Sequence, residues 1–294
     1  MRQKTAVRFT RAASKCWKGY PHLMNRETTL WRTAELAVGQ FDHALGDHHL
    51  DPVEEMSSNY SVNLVQRGGF SLQIGRRKWD PVPGDLFLTY PKLSYRCRHH
   101  EQTPTDSCLT VRYLGSERDP LSRKLSRIRN QPAVVPATNR IAYLFRRVTT
   151  VSLIPDNDMA GESQAYALLA EILVLPAGDK PFPQNRFPWY AERVDATRAL
   201  LELEYAANHT IVSLARSVEI SSFHFARVFA EFVGMPPHRY LLHLRMSEAT
   251  RRLRQGASVT DACFDSGFQN LSHFIRSFRR RYGVSPARYA NRPF

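Results

Sequence analysis

Two helix-turn-helix patterns stand in tandem in roughly the last hundred residues, and they limit what this chain can fold into more than any other feature. In TIVSLARSVEISSFHFARVFAEF (residues 210–232), Thr210 is placed to cap a short helix that carries Leu214 and Ala215. A turn follows at Val218 to Ile220. Ser221 is then placed to cap a second helix, whose Phe225, Val228, Phe229 and Phe232 recur at three- and four-residue spacing and make one apolar face. Ser222, Phe223, His224, Ala226 and Arg227 face outward. In SVTDACFDSGFQNLSHFIRSFRRRY (residues 258–282), Ser258 caps a helix with Ala262 and Cys263, and Gly267 supplies the turn. Phe274, Phe278 and Tyr282 repeat the apolar stripe, which leaves Ser272, His273, Ile275 and Arg276 outward, with Arg279 and Arg280 beyond them.

Phe225, Arg227 and Phe229 recur forty-nine positions later as Phe274, Arg276 and Phe278, so the region is an internal duplication. Between the copies, PPHRYLLHLRMSEATRRLRQG reads as one helix, entered at Pro237 and stopped at Gly256. From Pro237 to Arg254 it spans about 27 Å at 1.5 Å per residue. A rod of that length holds two recognition helices close to one DNA turn apart, roughly 34 Å, so one chain can reach successive major grooves.

The charge points to the same partner. A net charge of +14 and a pI near 10 favour a polyanion, because Lys and Arg displace counterions from phosphates. From Arg193 onward there are fifteen arginines, no lysine and eight acids, a net of +7. Arginine suits bidentate contact with guanine edges and phosphates, and a GC-rich genome produces the same bias without function.

Residues from about 193 to 294 resemble the DNA-binding domain of the AraC/XylS transcription regulators. The resemblance is carried by Leu214-Ala215, Phe225, Arg227, Phe229 and Gly234, then Arg239, Tyr240, Leu241, Leu244, Arg245 and Ala249. It continues through Gly267-Phe268, Phe274, Phe278, Arg279, Gly283, Ser285, Pro286 and Tyr289. Two positions depart from the family pattern: Glu219 stands where a turn glycine is usual, and Phe264 where a polar residue is common. A left-handed backbone at Glu219 costs about 1 kcal/mol relative to glycine.

From Thr29 to Tyr113 the segments are short, β-branched and aromatic, as in SVNLVQRG, FSLQIG, LFLTY, SYRCRHH and SCLTVRYL, with turns at Gly68-Gly69 and Pro83-Gly84-Asp85. The cadence predicts a small antiparallel sandwich or barrel. VPGDLFLTYP resembles the cupin-like sensory domain found ahead of many AraC-type DNA-binding domains. Residues 117–175 change to a helical period and read as two or three helices packed behind the barrel; in the family such helices commonly mediate dimerisation, and closing the core is the alternative. The fold class is therefore α+β and multidomain. A basic N-terminal tail (1–28) precedes an antiparallel cupin-like barrel (29–116), a helical packing or dimerisation segment (117–175), a proline-rich linker (176–192) and an all-α double helix-turn-helix domain (193–294). A fragment starting near Arg193 is expected to fold alone.

Two other readings of the barrel stay open. His43, His48, His49, Cys97, His99, His100 and Cys108 raise a metal-dependent cupin enzyme, although no HxH with an acid stands in the usual register, and neither a metal nor another cofactor is expected. Cys97 and Cys108 are equidistant from the centre of HHEQTPTDS, so in a symmetric hairpin they lie opposite one another as a redox pair. No nucleophile elbow, P-loop or dinucleotide motif is present, so no catalytic residue is assigned. The cysteines lack CxxC spacing, and nothing approaches eighteen consecutive apolar residues; a cytoplasmic bacterial protein without a membrane is expected. The expected partners are promoter or operator duplex DNA and an unidentified small-molecule effector bound in the barrel. RNA polymerase joins them if the chain activates, and a second copy if it dimerises. The DNA-contacting set is Ser222, Phe223, His224, Arg227, Ser272, His273, Arg276, Arg279 and Arg280.

Overall fold

The structure, a computed structural model, describes residues 26–42, 54–99, 106–116, 118–152, 154, 158–174, 182–183 and 185–291. Met1–Val135 and Pro136–Phe294 form two compact units. Most of the basic tail, His43, His48, His49, His100 and residues 176–181 and 184 of the segment expected as linker lie outside the described residues, as does the side chain of His99.

The first unit is built from β1 (Arg26–Arg32), β2 (Leu36–Asp42), β3 (Glu54–Met56), β4 (Tyr60–Arg67), β5 (Phe70–Ile74), β6 (Arg77–Trp79), β7 (Asp85–Thr89), β8 (Ser94–His99), β9 (Ser107–Tyr113) and β10 (Val134–Pro136). α1 (Pro120–Leu125) and a 3-10 turn (Ser126–Asn130) come between β9 and β10. The expected strands form, but not as one closed barrel: among the described residues there are two sheets, ordered β1-β2-β9-β4-β7-β10 and β3-β8-β5-β6. Gly68, at φ 68°, turns the chain from β4 into β5, and so from one sheet to the other. The PGD turn works through Gly84, at φ 96°, and through the Asp85 carboxylate, which accepts from the Val82 amide at 3.0 Å.

The cysteine hairpin is overturned. β8 and β9 belong to different sheets; Cys97 pairs with Leu72 on β5, whereas Cys108 pairs with Phe41 on β2 and Val65 on β4. Equal distance from a loop centre aligns two residues only if the flanking strands pair with each other, and here each strand finds a longer-range partner. The two thiols do share one apolar cluster with Val65, Phe70 and Leu72. Both are free, and burial disfavours the thiolate in both: the Cys97 pKa is raised, and Cys108 is pushed up to about 12. A reactive redox thiol needs the opposite shift. Among the described residues no three His, Cys, Asp or Glu side chains come together as metal ligands.

On the face of β4 shared with Val65, Ser61 and Asn63 are buried and bonded across the sheet. Thr110 on β9 donates to the Asn63 amide oxygen at 2.8 Å, and Ser61 meets Thr89 on β7 at 2.7 Å. This polar row lies beside the apolar Val65–Cys108 pair.

The second unit is helical: α2 (Asn139–Ser152), α3 (Asp158–Ile172), α4 (Phe187–Leu203), α5 (Ile211–Ser217), α6 (Ser222–Val233), α7 (Pro237–Arg254), α8 (Val259–Phe264), α9 (Leu271–Tyr282) and α10 (Pro286–Ala290). The helices expected to pack behind the barrel divide differently. α1 stays with the strands, while α2 packs on α3 and on α6. Tyr143 of α2 is buried in the cluster that holds Phe225, Phe229 and Phe232. α4 opens at Phe187, inside the segment expected as linker, and Phe187 stacks on Phe232 at 5.4 Å. α7 has the bounds expected of it. Its Tyr240, Leu241 and Leu244 pack on the first cluster, and its Met246, Ala249 and Leu253 on a second, built around Phe274 and Phe278.

Glu219 adopts φ 57°, the conformation glycine prefers, so Glu219→Gly should stabilise the unit by about 0.5–1 kcal/mol. Gly267, at φ 87°, faces the Ala206 backbone where a Cβ would stand 2.6 Å away, so Gly267→Ala should destabilise by about 2–4 kcal/mol. Urea denaturation checks both, and an unchanged midpoint in Gly267→Ala would sink the close-approach argument. A fragment cut at Arg193 lacks Tyr143, Phe187 and Tyr190, whereas one cut at Pro136 keeps them. The shorter fragment should be less stable by at least about 3 kcal/mol, the cost of losing a buried ring. Equal thermal midpoints would show that those rings are dispensable.

Candidate nucleic-acid interface

The duplication is legible in the caps. The N-caps Ser221 and Asn270, the first residues Ser222 and Leu271, the last residues Val233 and Tyr282, and the left-handed C-caps Gly234 and Gly283 all stand forty-nine residues apart. Before the turn the offset is forty-eight, from Thr210 to Ser258, and again from Glu219 to Gly267. The second turn is therefore one residue longer.

The caps form with different chemistry. Thr210 makes a reciprocal box with Ser213, and the Ser258 hydroxyl accepts from the Asp261 amide. Ser221 occupies the N-cap of α6 without a side-chain hydrogen bond. α9 is capped by Asn270, whose side chain accepts from the His273 amide at 2.8 Å. Sequence reading passed over Asn270, although its residue type, directly ahead of an apolar-periodic run, is the signal for a cap.

In α6, Phe225, Val228, Phe229 and Phe232 are buried, as their spacing requires. On the other face Phe223 and Arg227 are exposed, and Ser222, His224 and Ala226 are half-buried. His224 is not a free edge group. Its Nε2 lies 2.9 Å from the Tyr190 hydroxyl, and the Arg227 guanidinium donates to its Nδ1 at 3.4 Å. Burial, and next the Arg227 charge, hold its pKa below the ordinary histidine value, so the ring is neutral at pH 7. Arg227 also lies over the Phe182 ring at 5.9 Å.

In α9, Phe274, Ser277 and Phe278 are buried, while Ser272, His273, Ile275, Arg276, Arg279 and Arg280 are exposed. Arg276, Arg279 and Arg280 make no ion pair among the described residues. Arg281, the next residue, is tied down; its guanidinium donates to His243 Nδ1 at 2.8 Å. The structure thus brings Ser222, Phe223, His224 and Arg227 together on one helix and the remaining five site residues on its repeat.

Sequence reading missed what holds α6 from behind. Asn139 of α2 donates to Glu231 at 2.5 Å, and Arg140 donates to the Phe232 carbonyl at 3.1 Å and to Glu171 of α3 at 2.7 Å. Each is a pairing across thirty or more residues, which local periodicity does not carry.

Residues 214–292 match a family model described as a helix-turn-helix domain. The helix-turn-helix-type transcriptional regulator YbfI of Bacillus subtilis is 25% identical over 221 residues, covering 73% of this chain and 78% of that protein. The transcriptional activator RhaS of Escherichia coli is 30% identical over 132 residues, 45% of this chain and 47% of that protein, so the match spans about half of that relative. A solved structure described as a probable AraC family regulator from Rhodopseudomonas palustris is 29% identical, covering 35% of this chain and 99% of its own, with a TM-score of 0.32. With its two capped repeats and this match over residues 214–292, the chain carries a C-terminal helix-turn-helix domain of the AraC type, similar to those of transcriptional regulators.

Proposed function

We propose that the chain recognises a specific promoter or operator duplex by placing α6 and α9 in successive major grooves, and that a small molecule bound in the N-terminal unit modulates this. The observation that carries the reading is the pair of matched twelve-residue helices, each with one buried and one outward face, joined by the eighteen residues of α7. Repeat units separated by a rigid rod suit the roughly 34 Å repeat of the duplex.

In this reading Arg276 is the leading base reader. It is exposed, has no competing partner among the described residues, and has the fork that matches guanine O6 and N7. Ser272 and His273 lie one turn earlier on the same face. Arg279 and Arg280 stand in the last turn, where they offset the helix dipole and are suited to phosphate. Arg227 is the equivalent reader in α6, working against its ties to His224 and Phe182. The effector is proposed to lie against the interior face of β4, where the Ser61–Asn63–Thr110 row offers hydrogen bonds beside apolar surface. RhaS is named as an activator, and the same direction, with RNA polymerase as partner, is proposed for this chain. A homodimer is proposed as the assembled form.

The test uses the full chain and duplexes selected from a random pool. Arg276→Ala should lose about 1–3 kcal/mol of specific affinity and relax preference at one base pair, with little change on random DNA. Arg227→Ala should act in the other half of the site, and more weakly, because part of its interaction is internal. Arg279→Ala should weaken all sequences alike and flatten the dependence of affinity on salt. Equal losses on selected and random DNA for Arg276→Ala would overturn its role as a reader, and an unenriched pool would overturn sequence-specific binding altogether.

A further inference from the structure

The two recognition helices share a frame but not an edge. At the second residue of α6, the end from which a recognition helix meets bases, stands Phe223; the equivalent residue of α9 is Ser272. Phe223 is 83% exposed, whereas the other three phenylalanines of α6 are buried. Among the described residues the ring contacts of the first repeat run through Phe225, Phe229, Phe232 and His224, and Phe223 takes part in none of them. An exposed ring on a helix that folding has already aligned is apolar surface that the packing of the described residues leaves over.

The polar groups beside it are largely engaged within the protein. His224 is turned to the Tyr190 hydroxyl and accepts from Arg227, whose guanidinium lies over Phe182. One turn on from Phe223 is Ala226, half-buried and apolar. The leading edge of α6 is thus a benzyl ring and a methyl group. That of α9 carries two hydroxyl- or imidazole-bearing side chains and a guanidinium without a partner among the described residues, with Ile275 in the place of Ala226.

On the major-groove floor only thymine offers an apolar group, its 5-methyl, and Phe and Ala side chains are the kind that contact it. We propose that the first repeat reads thymine through that methyl group, with Phe223 as the specificity-determining side chain, while the second repeat reads hydrogen-bonding base edges. This rests on the DNA-recognition reading above and adds to it that the two half-sites differ in chemistry. The site then has one half that depends on a thymine methyl beside the weaker Arg227 contact, and one that Arg276 reads through hydrogen bonds, about one helical turn apart.

The experiment replaces each thymine of the selected duplex, one at a time, with deoxyuridine, which removes the methyl and leaves every hydrogen-bonding group. Binding of the full-length wild-type chain should weaken about four-fold at one or two thymines, as for the loss of one apolar carbon contact. Those positions should lie roughly one turn from the base pair whose preference Arg276→Ala relaxes. Phe223→Ala should abolish the deoxyuridine effect there and nowhere else, and Phe223→Leu should keep part of it; circular dichroism checks that both fold. Tight, sequence-specific binding with no deoxyuridine effect in that half overturns this inference and leaves DNA recognition standing. A deoxyuridine effect that persists in Phe223→Ala also overturns it, because the methyl is then read by another group. Absence of any sequence preference in the wild type overturns the underlying reading instead.

Discussion

The C-terminal end of α6 is fixed by side chains that lie outside the helix-turn-helix repeat, and the placing of the first recognition helix depends on them. Phe232, in the last turn, is fully buried, with Tyr143 at 5.2 Å, Phe187 at 5.4 Å and Phe182 at 6.0 Å. Burying such a ring contributes about 1.5–3 kcal/mol, and each ring pair adds roughly 0.5–1.5. Arg140 donates to the Phe232 carbonyl, one of the acceptors a helix end leaves unsatisfied, and brings a positive charge to the negative end of the dipole. A Cβ on Gly234 would stand 2.6 Å from that guanidinium, so the left-handed cap and the arginine are fitted to one another. Tyr143 extends the clamp: its hydroxyl donates to Asp195 at 2.6 Å, Arg198 donates to it at 3.3 Å, and Arg198 also donates to Tyr240 at 3.1 Å. One network therefore ties α2 and α4 to α7, the rod that also carries the second repeat.

The second repeat is held by its turn rather than by a clamp. Gly267 lets the turn close onto the Ala206 backbone, and Arg245 of α7 donates to the carbonyls of Tyr205 and Ala207, which keeps that stretch in place. In the first repeat Glu219 takes the left-handed conformation at a cost of about 1 kcal/mol. Its carboxylate, mostly exposed and 3.8 Å from Arg193, returns little of that. The duplication has thus kept both helices at twelve residues while the means of setting their angle diverged. That divergence has a parallel on the outward faces, where His224 and Arg227 have internal partners and Arg276 has none among the described residues.

Elements with a strong local period were legible in the sequence. α7 begins and ends where Pro237 and the Gln255-Gly256 stop put it, and the apolar stripes of α6 and α9 are the residues that are buried. The strands SVNLVQR and SCLTVRY were legible for the same reason. Their partners were not. Whether β9 pairs with β8 or with β2 and β4 is decided by contacts across dozens of residues, and symmetry about a loop is a poor guide to them. α2 was readable as a helix, yet its period says only that one face is buried, not that the face meets α6. On α6 the pattern placed His224 outward and was silent about Tyr190, which turns it back.

Arginine usage illustrates how composition and structure divide an explanation. The absence of lysine after residue 193 is what base composition or DNA recognition would each produce. Side-chain geometry separates the arginines into two sets. Arg245 satisfies two carbonyls at once, and Arg252 bridges Glu248 at 2.8 Å and Asp265 at 2.7 Å. Arg254 donates to the Tyr289 hydroxyl at 2.6 Å. The uses of Arg245 and Arg252 are fork-shaped and multidentate, which lysine does not reproduce, and all three contacts stabilise the fold whether or not DNA is present. Among the described residues Arg276, Arg279 and Arg280 make no such contacts, so their charge stays available at the surface of α9. Part of the excess positive charge is thus spent inside the unit, and the affinity for phosphate has to come from the exposed set. The number of counterions released on binding should track that smaller set rather than the formal charge of the domain.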